Sequence, residues 1–189
     1  MPKRHIKKLK ELAKRDNIDI WFMDECHFQQ HGSRLAAWFP KDEKDPTVLH
    51  APTRKKLGII GAVKAEDGTL VACEEDKFNA HTIEIFFSEL AKHIEKGKNM
   101  VVVLDNARFH HAKALSGWLD SHSKRFCLDF LPPYSPELNH IERVWKMLRR
   151  HCTHNQYFEK FEDLRKAVSN KIAEWASPNN DLAQLCAIN

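Results

Sequence analysis

Apolar residues follow one another along this chain in short runs of two different periods. Residues 18–24, Ile-Asp-Ile-Trp-Phe-Met-Asp, read as a strand that ends in an acid. Residues 27–39 predict a second strand, bent or interrupted near His31-Gly32. Pro40, Pro46 and Pro52 mark 40–52 as a loop, because each removes a backbone donor and fixes φ. Leu57 to Val63 predicts a third strand, and Glu66-Asp67-Gly68 a hairpin turn into Thr69–Cys73. The period then changes. Ile83, Phe86, Phe87, Leu90 and Ile94 stand at helical spacing, with Gly97 in the role of the residue just past the helix end. The valine-rich run from Met100 to Leu104 predicts a strand covered on both faces. A short helix is expected around 112–122 and a strand over 126–131, stopped by Pro132-Pro133. Another helix begins near 136–140, with Ile141, Val144, Trp145 and Leu148 on one face, and a last one spans roughly 160–176.

Meandering strands, then a helix, a strand, a helix, a strand and further helices imply an α/β fold. The front strands are expected to be antiparallel, and the later ones parallel and joined by helical crossovers. Residues 1–17 read as a basic helix, arm or linker ahead of a domain over 18–189.

At 189 residues the chain has the size of one domain with a substantial core. Its 42% hydrophobic and 30% charged content is that of an ordinary globular protein. No apolar stretch approaches the roughly 18 residues of a membrane span, and the start, Met-Pro-Lys-Arg-His, lacks a signal-peptide core. Five dispersed cysteines without a C-x-x-C pair predict reduced thiols and a cytoplasmic setting. The net charge of +4 is mild, but the cations cluster. Residues 3–15 carry seven Lys and Arg against Glu11, and Arg54-Lys55-Lys56 and Arg149-Arg150 form two more clusters. Such clusters suit a phosphate backbone, although any one of them is also ordinary solvated surface.

Three acids change the picture. Asp24 and Asp105 end apolar runs, and Glu142 lies in a helical stretch. Carboxylates at strand ends are exposed where the strand leaves the core. Hard oxygen ligands select Mg²⁺ or Mn²⁺. Two such ions about 4 Å apart serve both the attacking and the leaving oxygen of an in-line phosphodiester displacement. Each acid has a plainer reading. Asp24 could face water at a strand end, with Glu25 as ligand in its stead. Asp105-Asn106 could form an Asx turn. Asn139 with Glu142 has the spacing of a capping box, and Glu142 with Lys146 that of an i, i+4 ion pair.

The residues around these acids decide between the readings. Asp105 stands in Asp105-Asn106-Ala107-Arg108-Phe109-His110, and Glu142 in Leu131-Pro132-Pro133-Tyr134-Ser135-Pro136-Glu137-Leu138-Asn139-His140-Ile141-Glu142-Arg143-Val144-Trp145. Thirty-six residues lie between the two acids. This resembles the catalytic domain of DDE transposases, in the bacterial insertion-sequence branch related to mariner elements, which reads D-N-A-x-x-H and L-P-P-Y-S-P-x-L-N-P-I-E-x-x-W. The resemblance runs from about residue 18 to 176 and implies a ribonuclease H-like fold. In it Asp24, Asp105 and Glu142 match the three catalytic, metal-binding acids, with two Mg²⁺ or Mn²⁺ ions as cofactor. It implies an endonuclease and strand-transferase that cuts DNA at terminal inverted repeats and joins the freed 3′-hydroxyl to target DNA.

Double-stranded DNA is then the partner, and synapsis of two ends suits a homodimer. The setting would be the nucleoid of a bacterial or archaeal cell. Two departures stand out. His140 replaces the family's proline, with little effect expected, because Pro is optional in a first helical turn. Family members also carry helix-turn-helix domains ahead of the catalytic core, where this sequence shows only a basic arm. A catalytic fragment, half of a split reading frame with a separate helix-turn-helix polypeptide, or a decayed copy would each look like this. A non-catalytic DNA-binding or assembly module is therefore the rival function, and a nuclease for RNA–DNA hybrids a weaker third.

DNA contacts are expected from Arg54, Lys55, Lys56, Arg108, His110, Arg143, Lys146, Arg149 and Arg150. The resemblance makes His110 an active-site neighbour able to orient a phosphate; a solvent-facing or capping histidine is the plain alternative. His151-Cys152-Thr153-His154 hints at zinc but lacks a fourth ligand at fitting spacing. Trp145 shares the apolar face of its helix and is expected in the core.

Overall fold

The computed structural model describes residues 2–34, 36, 38, 40–42, 49 and 51–188. Its centre is a five-stranded sheet made of β1 (Ile18–Gln29), β2 (Lys56–Lys64), β3 (Leu70–Glu74), β4 (Asn99–Leu104) and β5 (Phe126–Phe130), in the order β3-β2-β1-β4-β5. The β1–β2 and β2–β3 pairs are antiparallel, and the β1–β4 and β4–β5 pairs parallel. Helix α1 (Pro2–Ala13) precedes the sheet, α2 (Ala80–Ala91) leads to β4 and α3 (Ser116–His122) to β5. After β5 come α4 (Ile141–Cys152), α5 (Phe161–Glu174) and α6 (Asn180–Cys186). This is the expected mixed α/β sheet of the ribonuclease H-like kind.

Strand alternation sorts the core into two layers. On one face Ile20, Phe22, Cys26 and Phe28 of β1 join Leu9 of α1, Val144, Trp145 and Leu148 of α4, Leu164 and Val168 of α5 and Leu182 of α6. On the other, Trp21 and Met23 join Ile83, Phe86, Phe87 and Leu90 of α2, together with Met100, Val102 and Leu104 of β4. The phenylalanine and leucine spacing of α2 is thus spent on the sheet, as its period predicted. The hairpin turn also forms as read: Gly68 has φ +72, and Thr69 N–H donates to the Asp67 carboxylate at 2.9 Å.

Several boundaries differ from expectation. β1 does not stop at Asp24 but continues to Gln29, so the start of the expected second strand is the end of the first. Antiparallel pairing with β2 carries it on, from Trp21↔Lys64 to Gln29↔Lys56. Beyond it Ser33 makes a single bridge to His154, and 35, 37, 39, 43–48 and 50, in the remainder of that expected strand and loop, lie outside the described residues. Helix α2 ends at Ala91, and Gly97 (φ +83) sits instead in the turn that starts β4. The segment expected as a basic helix, arm or linker forms the helix α1. Its Leu9 is buried in the core, and its Lys8 donates to Asp129 at 2.6 Å. Helix α6 had no counterpart in the sequence reading.

Candidate active site

β4 ends at Leu104, and its parallel pairing with β1 ends at Phe22↔Val103. Two residues on, Asp24 of β1 has β2 on one side, opposite Gly61, and no β4 residue on the other. The sheet therefore opens a notch beside Asp24, into which Asp105 follows directly from β4. A cleft of about 450 Å³ lies there, lined by Asp24, Asp105, Asn106, Pro132, Tyr134, Asn139 and Glu142 among others. All three predicted acids thus face one space, although they come from a strand interior, a strand exit and a helix start.

Glu142 reaches the cleft through packing. Trp145, one turn further along α4, is buried on the sheet. Its ring lies where a side chain at residue 61 would be: a Cβ built on Gly61 would come within 2.6 Å of it. Because Gly61 is the cross-strand partner of Asp24, the bare backbone that admits Trp145 also sets the helix over the acid. Asn139 fixes the other end. It is buried, and its amide donates to the carbonyl of Met23 at 2.8 Å, one residue before Asp24. Before it, Tyr134 takes a left-handed backbone (φ 57) with its ring fully exposed at the rim of the cleft. A bulky residue adopts that conformation only at a cost.

The rival readings of Glu142 are not realised. The residue capping α4 is His140, without a side-chain cap hydrogen bond, so no capping box forms. Among the described residues Glu142 also makes no ion pair with Lys146. The Asx turn at Asp105 does form, with Ala107 N–H donating to Oδ1 at 2.9 Å, and it is compatible with a place in the cleft. Glu25 is not an alternative to Asp24. Strand alternation sends it to the opposite face, where it meets the buried His110 ring at 3.0 Å.

Electrostatics mark the cleft as short of positive charge. Burial, then the neighbouring Glu25 and Glu142 and, more weakly, Asp105, push Asp24 up to about 8. Asp105 is held below the usual carboxylate range, first by its bond to His110. Burial alone would pull the His110 imidazolium down, but bonds to Asp105 and Glu25 carry it up to about 9. Among the described residues no lysine or arginine pairs with Asp24 or Glu142. Three clustered carboxylates with so little compensation, all offering oxygen, fit a hard divalent cation. Among the described residues no three acids, histidines or cysteines are yet drawn to chelating distance, near Asp24 or at His151–His154.

The predicted DNA contacts divide. Arg54, Lys55, Lys56, Arg108, Arg143, Lys146 and Arg150 are exposed. Arg149 is half-buried over the Phe28 ring, 5.4 Å from its centre. Since Phe28 pairs with Leu57, the clusters at 54–56 and 149–150 come together at one end of the sheet, though far apart in sequence. His110 cannot be a DNA contact, because its ring is only 1% exposed. His140 stacks on Phe22 at 4.4 Å between ring centres and bonds the carbonyl of Cys186. The residue that departs from the family's proline therefore ties α4 to α6. The sequence reading missed the Glu25–His110 contact and the tie from Asn139 to β1. Alternation at Asp24-Glu25 signalled the first, while nothing local signalled the second.

Comparison with known proteins places this geometry. Residues 19–165 match the DDE superfamily endonucleases. An uncharacterized protein, y4pE/y4sA, of Sinorhizobium fredii is 30% identical over 122 residues, covering 62% of this chain and 81% of that protein. An uncharacterized 39 kDa protein of insertion element IS630 from Shigella sonnei is 29% identical over 162 residues, covering 84% of this chain but 46% of its own length. In fold, a Mos1 mariner paired-end complex with Mn is similar, with a TM-score of 0.71 and 17% identity, over 98% of this chain and 57% of that one. The catalytic domain of Mos1 mariner transposase gives 0.60 and 14% identity, over 98% of this chain and 84% of that one. The chain therefore spans about half the length of the insertion-element protein and of the Mos1 chain in the paired-end complex. Because the family match covers most of the chain and the fold agrees with it, the chain belongs to the DDE superfamily of endonucleases.

Proposed function

We propose that the cleft cuts DNA at the ends of a mobile element and joins the freed end to new DNA, with Asp24, Asp105 and Glu142 as its catalytic acids. The observation that carries this reading is the convergence of the three carboxylates on one open cleft, with no lysine or arginine among the described residues paired with Asp24 or Glu142. These acids would hold Mg²⁺ or Mn²⁺, two ions in the full site, which when bound supply Lewis-acid activation of the attacking oxygen and stabilise the leaving one. The protein's own residues do the positioning. Asn139 and Trp145 set Glu142 over Asp24, and the Asx turn holds Asp105. Pro132, Pro133 and Tyr134 form the wall along which a strand would lie. Exposed cations at the start of β2 and along α4 would grip phosphates of the same duplex. No side-chain nucleophile is required, since water serves cleavage and a sugar hydroxyl serves joining.

Mos1 complexes with Mn and with Mg, and with a transposon end, support this choice of ions and partner. Synapsis of two ends suits a homodimer. A helix-turn-helix partner would supply the recognition of specific ends, and the nucleoid of a bacterial or archaeal cytoplasm would be the setting.

Asp105→Ala should reduce Mn²⁺- or Mg²⁺-dependent nicking of supercoiled plasmid by at least about a thousandfold, in line with the removal of a residue central to catalysis. Equal nicking by variant and parent would end the assignment. The rival is a DNA-binding or assembly module without catalysis. Calorimetry separates the two: a catalytic site binds Mn²⁺, and a module gives no heat.

A further inference from the structure

Asp24 and Glu25 are neighbours on β1 but serve opposite faces of the sheet. While Asp24 lines the cleft, the Glu25 side chain, 8% exposed, turns under the sheet to His110. His110 occupies the 3₁₀ turn Arg108–His111 that follows Asp105. Its Nε2 lies 3.0 Å from Glu25 Oε1. Its Nδ1 lies 3.2 Å from Asp105 Oδ1 and 3.3 Å from the Asp105 carbonyl. The Phe109 ring packs edge-on against it at 4.6 Å. Asp105 Oδ1 also accepts the Ala107 N–H at 2.9 Å. Oδ1 thus accepts the Ala107 N–H and faces His110 Nδ1 at ion-pair distance, while Nδ1 also bonds the Asp105 carbonyl. Among the described residues Oδ2 has no donor.

A carboxylate held by one oxygen has a fixed plane and keeps its second oxygen available. The Asx turn alone holds Oδ1 from one direction, and the histidine adds a second, rigid point. Histidine is suited to this, because its two ring nitrogens point in fixed, different directions and each reaches one carboxylate. We propose that His110, braced from behind by Glu25, is a positioning residue that clamps Asp105 through Oδ1 and leaves Oδ2 as a preset ligand for a divalent cation. The inference rests on the reading of the cleft as a metal-dependent nuclease. It removes His110 from the DNA surface and makes Glu25, the one acid of the cluster that does not enter the cleft, part of the site's rear support. Supporting groups of this kind are worth roughly 10–100-fold in metal affinity.

The test uses the full chain and two substitutions that divide the imidazole. The amide nitrogen of Asn stands near the position of Nδ1, so His110→Asn keeps the donor to Asp105 and gives up the bond to Glu25. Gln reaches toward the position of Nε2, so His110→Gln keeps the bond to Glu25 and gives up the clamp. Mn²⁺ affinity is measured by calorimetry without DNA, alongside thermal melting of the metal-free protein and plasmid nicking across a Mn²⁺ series. His110→Gln should weaken Mn²⁺ binding roughly 10–100-fold, with nicking recovering at raised Mn²⁺. His110→Asn should retain most of the affinity.

Should His110→Gln fail to fold, Glu25→Ala, which removes the brace and leaves the imidazole against Asp105, is expected to match His110→Asn and retain most of the Mn²⁺ affinity, and a roughly 10–100-fold loss in it would overturn the proposal. Parent-like Mn²⁺ affinity in His110→Gln, or equal losses in the Gln and Asn variants, would overturn the proposal. If the parent chain itself neither binds Mn²⁺ nor nicks, the nuclease reading fails and the clamp falls with it. If the parent does both and the variants match it, the clamp alone is disproved.

Discussion

Asp24 shows what a single side chain is asked to bear. A carboxyl in the middle of a buried strand, with other acids near it, is costly to ionise, and its folded-state value of about 8 lies well above its ordinary 3.8. The folded protein therefore keeps a proton that the unfolded chain gives up. Stability of the metal-free protein should fall as pH rises from about 4 to about 8, the window between those two values. His110 adds to the same trend at its upper end. Its bonds to two carboxylates contribute stability below the ordinary histidine value, and that contribution is lost as pH climbs through about 9. Asp24→Asn should flatten the first slope and raise metal-free stability at pH 8 by on the order of 1–2 kcal/mol, after allowance for relaxation and solvent, while abolishing nicking. Chemical denaturation at pH 5.5 and pH 8, with and without Mn²⁺, measures this. A parent protein whose metal-free stability rose over that interval would contradict the account of Asp24. Tyr134, left-handed and exposed on the rim, is a second place where local conformation departs from what the residue prefers.

The elements matter here through two interactions that decide where α4 begins and how it lies. Asn139 hangs the start of the helix from the Met23 carbonyl, and Trp145 seats its first turns on the bare backbone of Gly61. Neither touches the chemistry, yet together they place Glu142 opposite Asp24. Gly61→Ala should consequently do more than its one methyl suggests. The new carbon would meet a fully buried ring that has no free space to swing into. A destabilisation of about 1–3 kcal/mol is expected, as for other overpacked core sites, together with a larger fall in nicking than a stability change of that size explains. Thermal melting and plasmid nicking at a temperature where the variant is folded separate the two effects. A variant that melts with the parent and nicks normally would show that α4 is set by other packing. The period-3.6 pattern of α4 was readable because an apolar face facing a sheet leaves that trace. Its start near residue 140 was readable too, but not the bond that hangs it from β1, because a side-chain contact with a strand more than a hundred residues earlier leaves no such trace.

At the scale of the whole molecule, the sheet gathers charges that are dispersed in sequence. Arg54, Lys55 and Lys56 at the start of β2 meet Arg149 and Arg150 at the end of α4, and the described part of the chain presents them at one end of the sheet. If that end tracks a duplex, Lys55→Ala with Lys56→Ala should weaken plasmid-length DNA binding and reduce the slope of log K against log salt by up to about 1.8, near 0.9 for each phosphate that is no longer neutralised. An unchanged slope, read by anisotropy titration across salt concentrations, would return those lysines to ordinary surface. The sequence by itself determined the order of strands and helices, the mixed sheet and the three acids with the motifs around Asp105 and Glu142. These are written in local periodicity and in contiguous words. Tertiary structure alone decided that β1 runs through Asp24 to Gln29, that Glu25 faces away from the cleft and that His110 is buried behind it. It also decided that α1 and α6 close the core. Each of those outcomes depends on which strand pairs with which and on what packs across the sheet. Side chains far apart in the chain settle such matters jointly, and no stretch of sequence holds that information alone.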